Sequence, residues 1–312
     1  MDTNVMALTP LDGLESEYLY YWLSHRGLWD IADVTSVPQI NNKHINPLEI
    51  DLPEPDEQRL VSAVLRDVDA LVNSLERVIA KKRAIKQGMM QELLTGRTRL
   101  PSFTGPWERL NVAKMSHLKA RIGWQGLTTS EYRRSGEYRL VGGTEFRNGR
   151  VKWAATPYVD RWRFDQDRNI QLRPGDVLIT KDGTIGKVAY VESSPGPATL
   201  NSGVFVVRPK SGTYDSGFLF HMLRSRYFDD FVAGLSAGST INHLYQRDLV
   251  KLELTVPTSR AEQRAIANAL FDADADIESL ERRFEATRAI KQGMMQELLT
   301  ARTRLPVKED AA

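Results

Sequence analysis

Apolar or small residues recur at Ile266, Leu270, Ala273, Ile277, Leu280, Phe284, Thr287, Met294 and Leu298, in steps of mostly four and three, with Lys291 as the interruption. A second stripe runs through Val64, Val68, Leu71, Leu75, Val78, Ile85, Met89 and Leu93. Such steps keep side chains on one face of an α-helix, so both stretches predict long helices with a heptad seam. No proline interrupts either helix; Pro53 and Pro55 precede the first and Pro257 the second. At ~1.5 Å per residue, about 39 residues make a rod roughly 58 Å long. A rod of that length cannot bury its stripe against one small domain, so the two rods are predicted to pair. The pairing should be antiparallel, because a parallel arrangement would force the segment between them to span a whole rod. The alternative is two independent helices, each packed on its own domain.

The rods are copies. RAIKQGMMQELLT occurs at Arg83–Thr95 and again at Arg288–Thr300, and RTRLP closes the match both times. Across Glu57–Pro101 and Glu262–Pro306 roughly two-thirds of positions are identical, most densely at the C-terminal end. Gly96 suits a left-handed helix cap, whereas Ala301 stands in its place in the second copy, where such a cap would be strained. Arg97, Arg99, Arg302 and Arg304 lie where a helix C-terminus favours positive charge.

Between the rods the texture changes. EYRLVGG, GRVKWA, GDVLITKDGTIGKVAYVE and SGVFVVRP are short apolar runs divided by turn residues. They predict a mostly β domain over residues 102–256, with a helix over Tyr214–Phe231 and a last strand in LVKLELTVP. The first 56 residues resemble the tail of that domain: SEYLYYWLSHRGLWDI parallels SGFLFHMLRSRYFDDF, and VPQINNKHINPLEIDLP parallels GSTINHLYQRDLVKLELTVP. The expected organisation is α+β: 1–56, the C-terminal part of a first β domain lacking about one hundred residues; 57–101, a first rod; 102–256, a complete second domain; 257–306, a second rod; and 307–312, a tail.

Composition narrows the chemistry. The chain has no cysteine, which excludes disulfides and thiolate metal sites, and its five scattered histidines make no zinc pattern. The N-terminus has no signal-peptide pattern and no run is long enough to span a bilayer, so a cytoplasmic location is expected. The net charge of +2 hides an asymmetry: residues 1–56 hold 2 Lys+Arg against 10 Asp+Glu, and residues 102–256 hold 22 against 15. A polyanion-binding surface is therefore expected in the middle segment.

The doubled IKQGMMQELLT(G/A)RTRLP, the proline-to-EQR helix starts and GDVLITKDGTIGKVAYV together resemble the specificity subunit of type I restriction–modification systems. The resemblance covers nearly the whole chain; the departure is the shortened first domain. It implies two target recognition domains alternating with two antiparallel helices, no catalysis and no cofactor in this chain, and double-stranded DNA as ligand. It also implies modification subunits carrying S-adenosylmethionine as partners, joined by a restriction (motor-nuclease) subunit using ATP and Mg. The residues agree with the absence of catalysis: VGGTEF is not GxGxxG, no (D/N)PP(Y/F) element occurs, and KDGTIGK has three residues too few for a phosphate loop. A nucleotide-dependent enzyme, a coiled-coil scaffold and a remnant that no longer binds DNA remain the competing readings.

Three segments are candidates for DNA contact. Lys119, Arg121, Trp124 and Gln125, continuing to Arg133 and Arg134, interleave bases and aromatics with an amide that can bond a base edge. Lys181, Thr184 and Lys187 sit in an expected hairpin turn. Thr240 and Asn242 sit in a polar loop. Each has a bland alternative as solvated surface or simple turn. Lys86, Gln87, Gln91 and Glu92, repeated as Lys291, Gln292, Gln296 and Glu297, are candidates for docking the modification subunits. A seam alone does not require exposed positions to match, although recent duplication would also leave them identical.

Overall fold

A computed structural model of the chain describes residues 5–33, 38–235 and 243–306. Its elements in order are α1 (Ser16–Arg26), α2 (Asn42–Ile45), α3 (Pro55–Leu93), β1 (Trp107–Asn111), β2 (Ser116–Ala120), β3 (Tyr138–Val141), β4 (Phe146–Arg147), β5 (Arg150–Val151), β6 (Tyr158–Val159), α4 (Arg161–Asp165), β7 (Val177–Thr180), β8 (Val188–Tyr190), β9 (Ala198–Leu200), β10 (Val204–Pro209), α5 (Ser216–Leu223), α6 (Arg226–Leu235), α7 (Gln246–Leu249), β11 (Glu253–Pro257) and α8 (Arg260–Leu299). They form two compact units: Met1–Arg83 with Ala275–Ala312, and Ala84–Asp274.

In the first unit α1 packs on parts of α3 and α8 through Tyr18, Tyr21, Val61, Leu65, Met295, Leu298 and Leu299. Ion pairs fix the direction of the two long helices. Glu57 meets Arg304 at 2.6 Å, Asp69 meets Lys291 at 2.6 Å, and Lys82 meets Asp276 at 2.9 Å. Numbers rise on one helix as they fall on the other, so the pairing is antiparallel.

The second unit repeats the pattern with the partners exchanged. Lys86 pairs with Asp274, and Arg99 grips Glu262 through Nε and Nη2 at 2.6 and 2.7 Å. Each of these residues stands 205 positions from its counterpart in the first unit. Leu93, Leu94, Ile266, Leu270 and Phe218 supply the matching core positions. The two glutamines of the EQR triplets do the same work. Gln58 accepts from the Glu15 amide at 2.8 Å, just before α1, and Gln263 accepts from the Asp215 amide at 2.7 Å, just before α5. Each also donates 2.7 Å to the carbonyl of a proline ahead of its long helix.

The rest of the second unit combines three sheets with the shorter helices α4 to α7. A six-stranded sheet runs β2-β10-β7-β8-β5-β4, beside a three-stranded sheet β6-β3-β9 and the pair β1-β11. Pairings are antiparallel except β5–β8 and β3–β9. β7 is buried on both faces. Val177 and Ile179 join Phe205 and Val207 against α5, α6 and the long helices, while Leu178 joins Val204, Val206 and Leu200 in a second core.

Three expectations need correction. In the first rod Leu71, Val78 and Ile85 are exposed, and Val61, Leu65, Leu75 and Ile79 are buried instead. Apolar residues there come in adjacent pairs, such as Val64-Leu65 and Val78-Ile79, which support two stripes; the structure uses the one equivalent to the second rod's. The helix expected over Tyr214–Phe231 breaks at Arg224-Ser225, where the Ser225 hydroxyl donates 2.6 Å to the Met222 carbonyl and its own carbonyl accepts from Phe228. The last strand is only Glu253–Pro257, because α7 runs to Leu249 and the chain then turns through Val250 and Lys251.

The helix ends are also duplicated. Thr98 and Thr303 return to Glu92 and Glu297, with hydroxyl-to-carboxylate distances of 2.8 and 3.1 Å. The turn requires a left-handed residue, Gly96 at φ 70° and Ala301 at φ 53°. An alanine in this region is strained by about 1–2 kcal/mol. Replacing Ala301 by glycine should therefore stabilise the first unit by about 1 kcal/mol, less the entropy glycine loses on folding. The reverse change at Gly96 should cost more, because a Cβ there would lie 3.0 Å from the Trp107 ring. Amide exchange in the last turns of the two long helices reads both effects; an unchanged or faster rate in Ala301→Gly would contradict the assignment of strain.

Candidate nucleic-acid interface

KDGTIGK forms the expected hairpin loop. β7 and β8 pair antiparallel on either side of it, and Gly183 and Gly186 take the positive φ values of 67° and 80° that the turn demands. The Thr180 hydroxyl ties the loop shut, donating to the Thr184 carbonyl at 2.5 Å and accepting from the Lys187 amide at 2.9 Å. Thr184 and Lys187 point to solvent. Lys181 is more enclosed, with Nζ 5.8 Å from the Phe205 ring centroid.

A second segment comes to this loop. The Leu244 amide donates to the Lys181 carbonyl at 2.8 Å, and His243 Nδ1 meets the Asp182 carboxylate. The His243 ring lies 4.5 Å from that of Tyr245, and the Arg247 guanidinium sits 4.5 Å above Tyr245. Tyr245 and Arg247 are exposed. Thr240 and Asn242, candidates in the polar loop just before this segment, lie outside the described residues. In sequence this segment reads HLYQR, two basic side chains, one on either side of an aromatic.

The segment after β2 divides by burial. Lys119 is exposed on β2, an edge strand of the six-stranded sheet. Arg134 is exposed, and Arg133 is exposed but bound to Asp160 at 3.0 Å. Arg121 is a correction. It is fully buried, with Nε donating to the Leu200 carbonyl at 2.8 Å and the other nitrogens reaching Thr199 Oγ1 and Gln166 Oε1, each at 3.2 Å. Burial, with the charge of Arg163 beside it, pulls its pKa below the ordinary value. Gln125 is also buried, and its Oε1 finds no partner among the described residues. Neither side chain can reach a base edge from the core. Trp124 lies in a 3-10 turn; its side chain falls outside the described part of the structure.

The docking candidates divide in the same way. Lys86 and Lys291 are corrections. Both lie within the helix seam, paired with Asp274 and Asp69 respectively, and Lys291 also sits 5.6 Å over the Tyr21 ring. Burial lowers the pKa of Lys86 and the hydrogen bond to Asp274 opposes that shift. In the first unit the Tyr21 hydroxyl also donates 3.0 Å to Asp69. Glu92 and Glu297 are used as caps by Thr98 and Thr303. Gln87, Gln91, Gln292 and Gln296 remain as exposed side chains. Gln292 and Gln296 line an open groove of about 500 Å³ with Arg288, Ser24 and His25.

Among the described residues no cluster of three or more His, Asp or Glu could hold a metal ion, and no helix is long and apolar enough to cross a membrane.

Comparison with known proteins gives the same picture. The chain is 25% identical over 309 residues to the type I restriction enzyme MjaVIII specificity subunit of Methanocaldococcus jannaschii, covering 94% of this chain and 71% of that protein. It is 25% identical over 164 residues to the EcoKI specificity subunit of Escherichia coli, covering 51% of this chain and 34% of that one. Among solved structures, the S subunit of a type I restriction–modification system from M. genitalium superposes with a TM-score of 0.67 at 15% identity, covering 95% of this chain and 74% of that one; this likeness is one of fold. The sequence profile of the type I restriction modification DNA specificity domain matches residues 125–287, just over half of the chain. The chain belongs to the type I restriction–modification DNA specificity family.

Proposed function

We propose that this chain is a DNA-recognition subunit of a type I restriction–modification complex, non-catalytic itself, and that its second unit reads a half-site in duplex DNA. The observation that carries the reading is the convergence of the 181–187 hairpin loop with residues 243–247, which brings exposed Thr184, Lys187, Tyr245 and Arg247 to one edge. Cations there would hold phosphates, and the hydroxyl and aromatic groups would meet base edges. Lys119, Arg133 and Arg134 extend the basic surface, with Arg133 exchanging Asp160 for a phosphate. Residues 1–56 are read as the C-terminal part of a first recognition domain, because α1 and α2 are to the first unit what α5 and α7 are to the second.

Chemistry would come from partners: modification subunits carrying S-adenosylmethionine, and a restriction subunit using ATP and Mg. The exposed glutamines Gln87, Gln91, Gln292 and Gln296 are the proposed docking positions. Their identity in the two copies has no internal use, whereas that of Lys86, Glu92 and Arg99 does. Two equal faces on one chain suit two copies of one modification subunit.

DNA binding by the full chain should weaken by orders of magnitude between low and moderate salt, as phosphate contacts release counterions. Lys187→Ala should lower affinity about equally on all duplexes and reduce the salt slope by about 1, with thermal stability unchanged. Arg121→Met should act on the fold instead, costing about 1–3 kcal/mol or more as the Leu200 carbonyl and the Thr199 and Gln166 side chains lose a buried donor. Fluorescence anisotropy beside thermal melts separates the two. Equal effects of both substitutions on folding, or no binding at low salt, would refute the placement of the site.

Changing Gln91 and Gln296 together to arginine should abolish co-purification with a modification subunit while leaving the circular dichroism spectrum as in the parent. Retained association in the double variant would remove these faces from the interface.

A further inference from the structure

Trp162 on α4 is 56% exposed, whereas Trp107 and Trp153 are partly buried against the two cores of the second unit. Left in water, this indole adds little to the fold, and yet it is held still. The Arg163 guanidinium lies 4.2 Å over the ring. That guanidinium is itself fixed: two of its nitrogens meet a Glu131 oxygen at 2.6 and 2.7 Å, and a third reaches Gln166 Oε1 at 3.2 Å. Glu131 in turn accepts from the Thr128 amide at 2.9 Å. A rigid exposed aromatic loses little freedom when it meets a ligand.

The connections of α4 place it in the domain. Ala120 ends β2 opposite Phe205, and Thr180 ends β7 opposite Val204. The segment after β2 and the 181–187 hairpin loop therefore leave the six-stranded sheet at the same end. α4 is bonded to that segment. Arg163 Nη1 donates to the Gln125 carbonyl at 3.4 Å, and Arg121, immediately after β2, reaches the Gln166 side chain at 3.2 Å. Exposed cations accompany the indole: Arg161 precedes it, and Arg133 is joined to Asp160 at the start of α4. We propose that Trp162 is a specificity-determining residue, making apolar contact with a thymine methyl group in the major groove of the duplex that the hairpin loop engages. The proposal rests on reading the second unit as the DNA reader. Cations hold the phosphates of any sequence, and the polar groups of the hairpin edge bond base edges, but neither detects a methyl group. An uncharged ring does, because thymine offers it apolar surface that cytosine lacks at the same place.

The test uses the full chain. Duplexes enriched by the parent from a random pool are identified first, and each thymine in them is then replaced singly by uracil, which lacks the methyl group. The expected result is a loss of about fourfold in affinity at one thymine, the value of one buried methyl group, with little change at the others. In Trp162→Ala that replacement should have no effect, and part of the preference for thymine over cytosine there should be lost, with the salt slope and thermal melt as in the parent. Trp162→Phe should keep some of the preference. The proposal falls if Trp162→Ala retains the parent's selectivity, if it weakens binding equally on all duplexes, or if the enriched duplexes hold no thymine whose methyl group matters. A parent chain that binds no duplex would overturn the DNA-recognition reading as well. A parent that binds and selects, with Trp162→Ala selecting alike, would overturn this proposal alone.

Discussion

Antiparallel register between the long helices is the constraint on which the rest depends. It is set by two kinds of ion pair, each used twice: lysine to aspartate inside the seam, and arginine to glutamate near the helix ends. Apolar contacts alone do not choose a register here, because α3 carries two overlapping stripes. A cation that must meet one carboxylate does choose. Charged groups removed from water are costly unless paired, so a slipped register breaks up to four such pairs at once. With the register fixed, Leu93, Leu94, Ile266 and Leu270 present one continuous apolar face, and α5 with the six-stranded sheet is built on it.

Arginine works in the second unit as an internal tie as much as a surface charge. Arg121 links β2 to β9 and to the segment around Gln166. Arg208 binds both oxygens of Asp176 at 2.6 and 2.7 Å and two backbone carbonyls, of Asn169 and Gln171, at 2.6 Å each. The guanidinium group can satisfy several acceptors at fixed angles, which suits a domain of very short strands with many turn carbonyls to bond. The positive balance of residues 102–256 is therefore partly structural, and only the exposed cations are available to a polyanion.

The helices and the hairpin were legible in sequence because they depend on local periodicity and on glycine at positions needing positive φ. The antiparallel pairing followed from the repeat and the domain-sized segment between its copies. The individual contact residues were not legible for a different reason. Arg121 is buried by acceptors some 45 to 79 positions away, and nothing in KARIGWQ marks it apart from Arg133 or Arg134. Lys86 and Lys291 looked like matched surface residues because their carboxylate partners lie in the less similar part of the repeat. A clue was available there. Glu57 and Asp69 recur as Glu262 and Asp274 in the less similar part of the repeat, and charged residues kept there in both copies are what repeated ion pairs leave behind.

The doubled ion pairs make each long helix complementary to itself. Glu57, Asp69, Lys86 and Arg99 all lie on α3 or just beyond its end, and the same set in the same spacing lies on α8. An α3 helix can therefore meet the α3 of another molecule with these same four ion pairs, losing Lys82–Asp276 because α3 has Leu71 where α8 has Asp276. What favours α8 further is tethering: the segment joining the two helices holds them at an effective concentration that free molecules do not reach. During synthesis that advantage is missing, because α3 is complete long before α8 leaves the ribosome. For that interval the emerging helix is a sticky end, and neighbouring nascent chains on one message are its nearest matches.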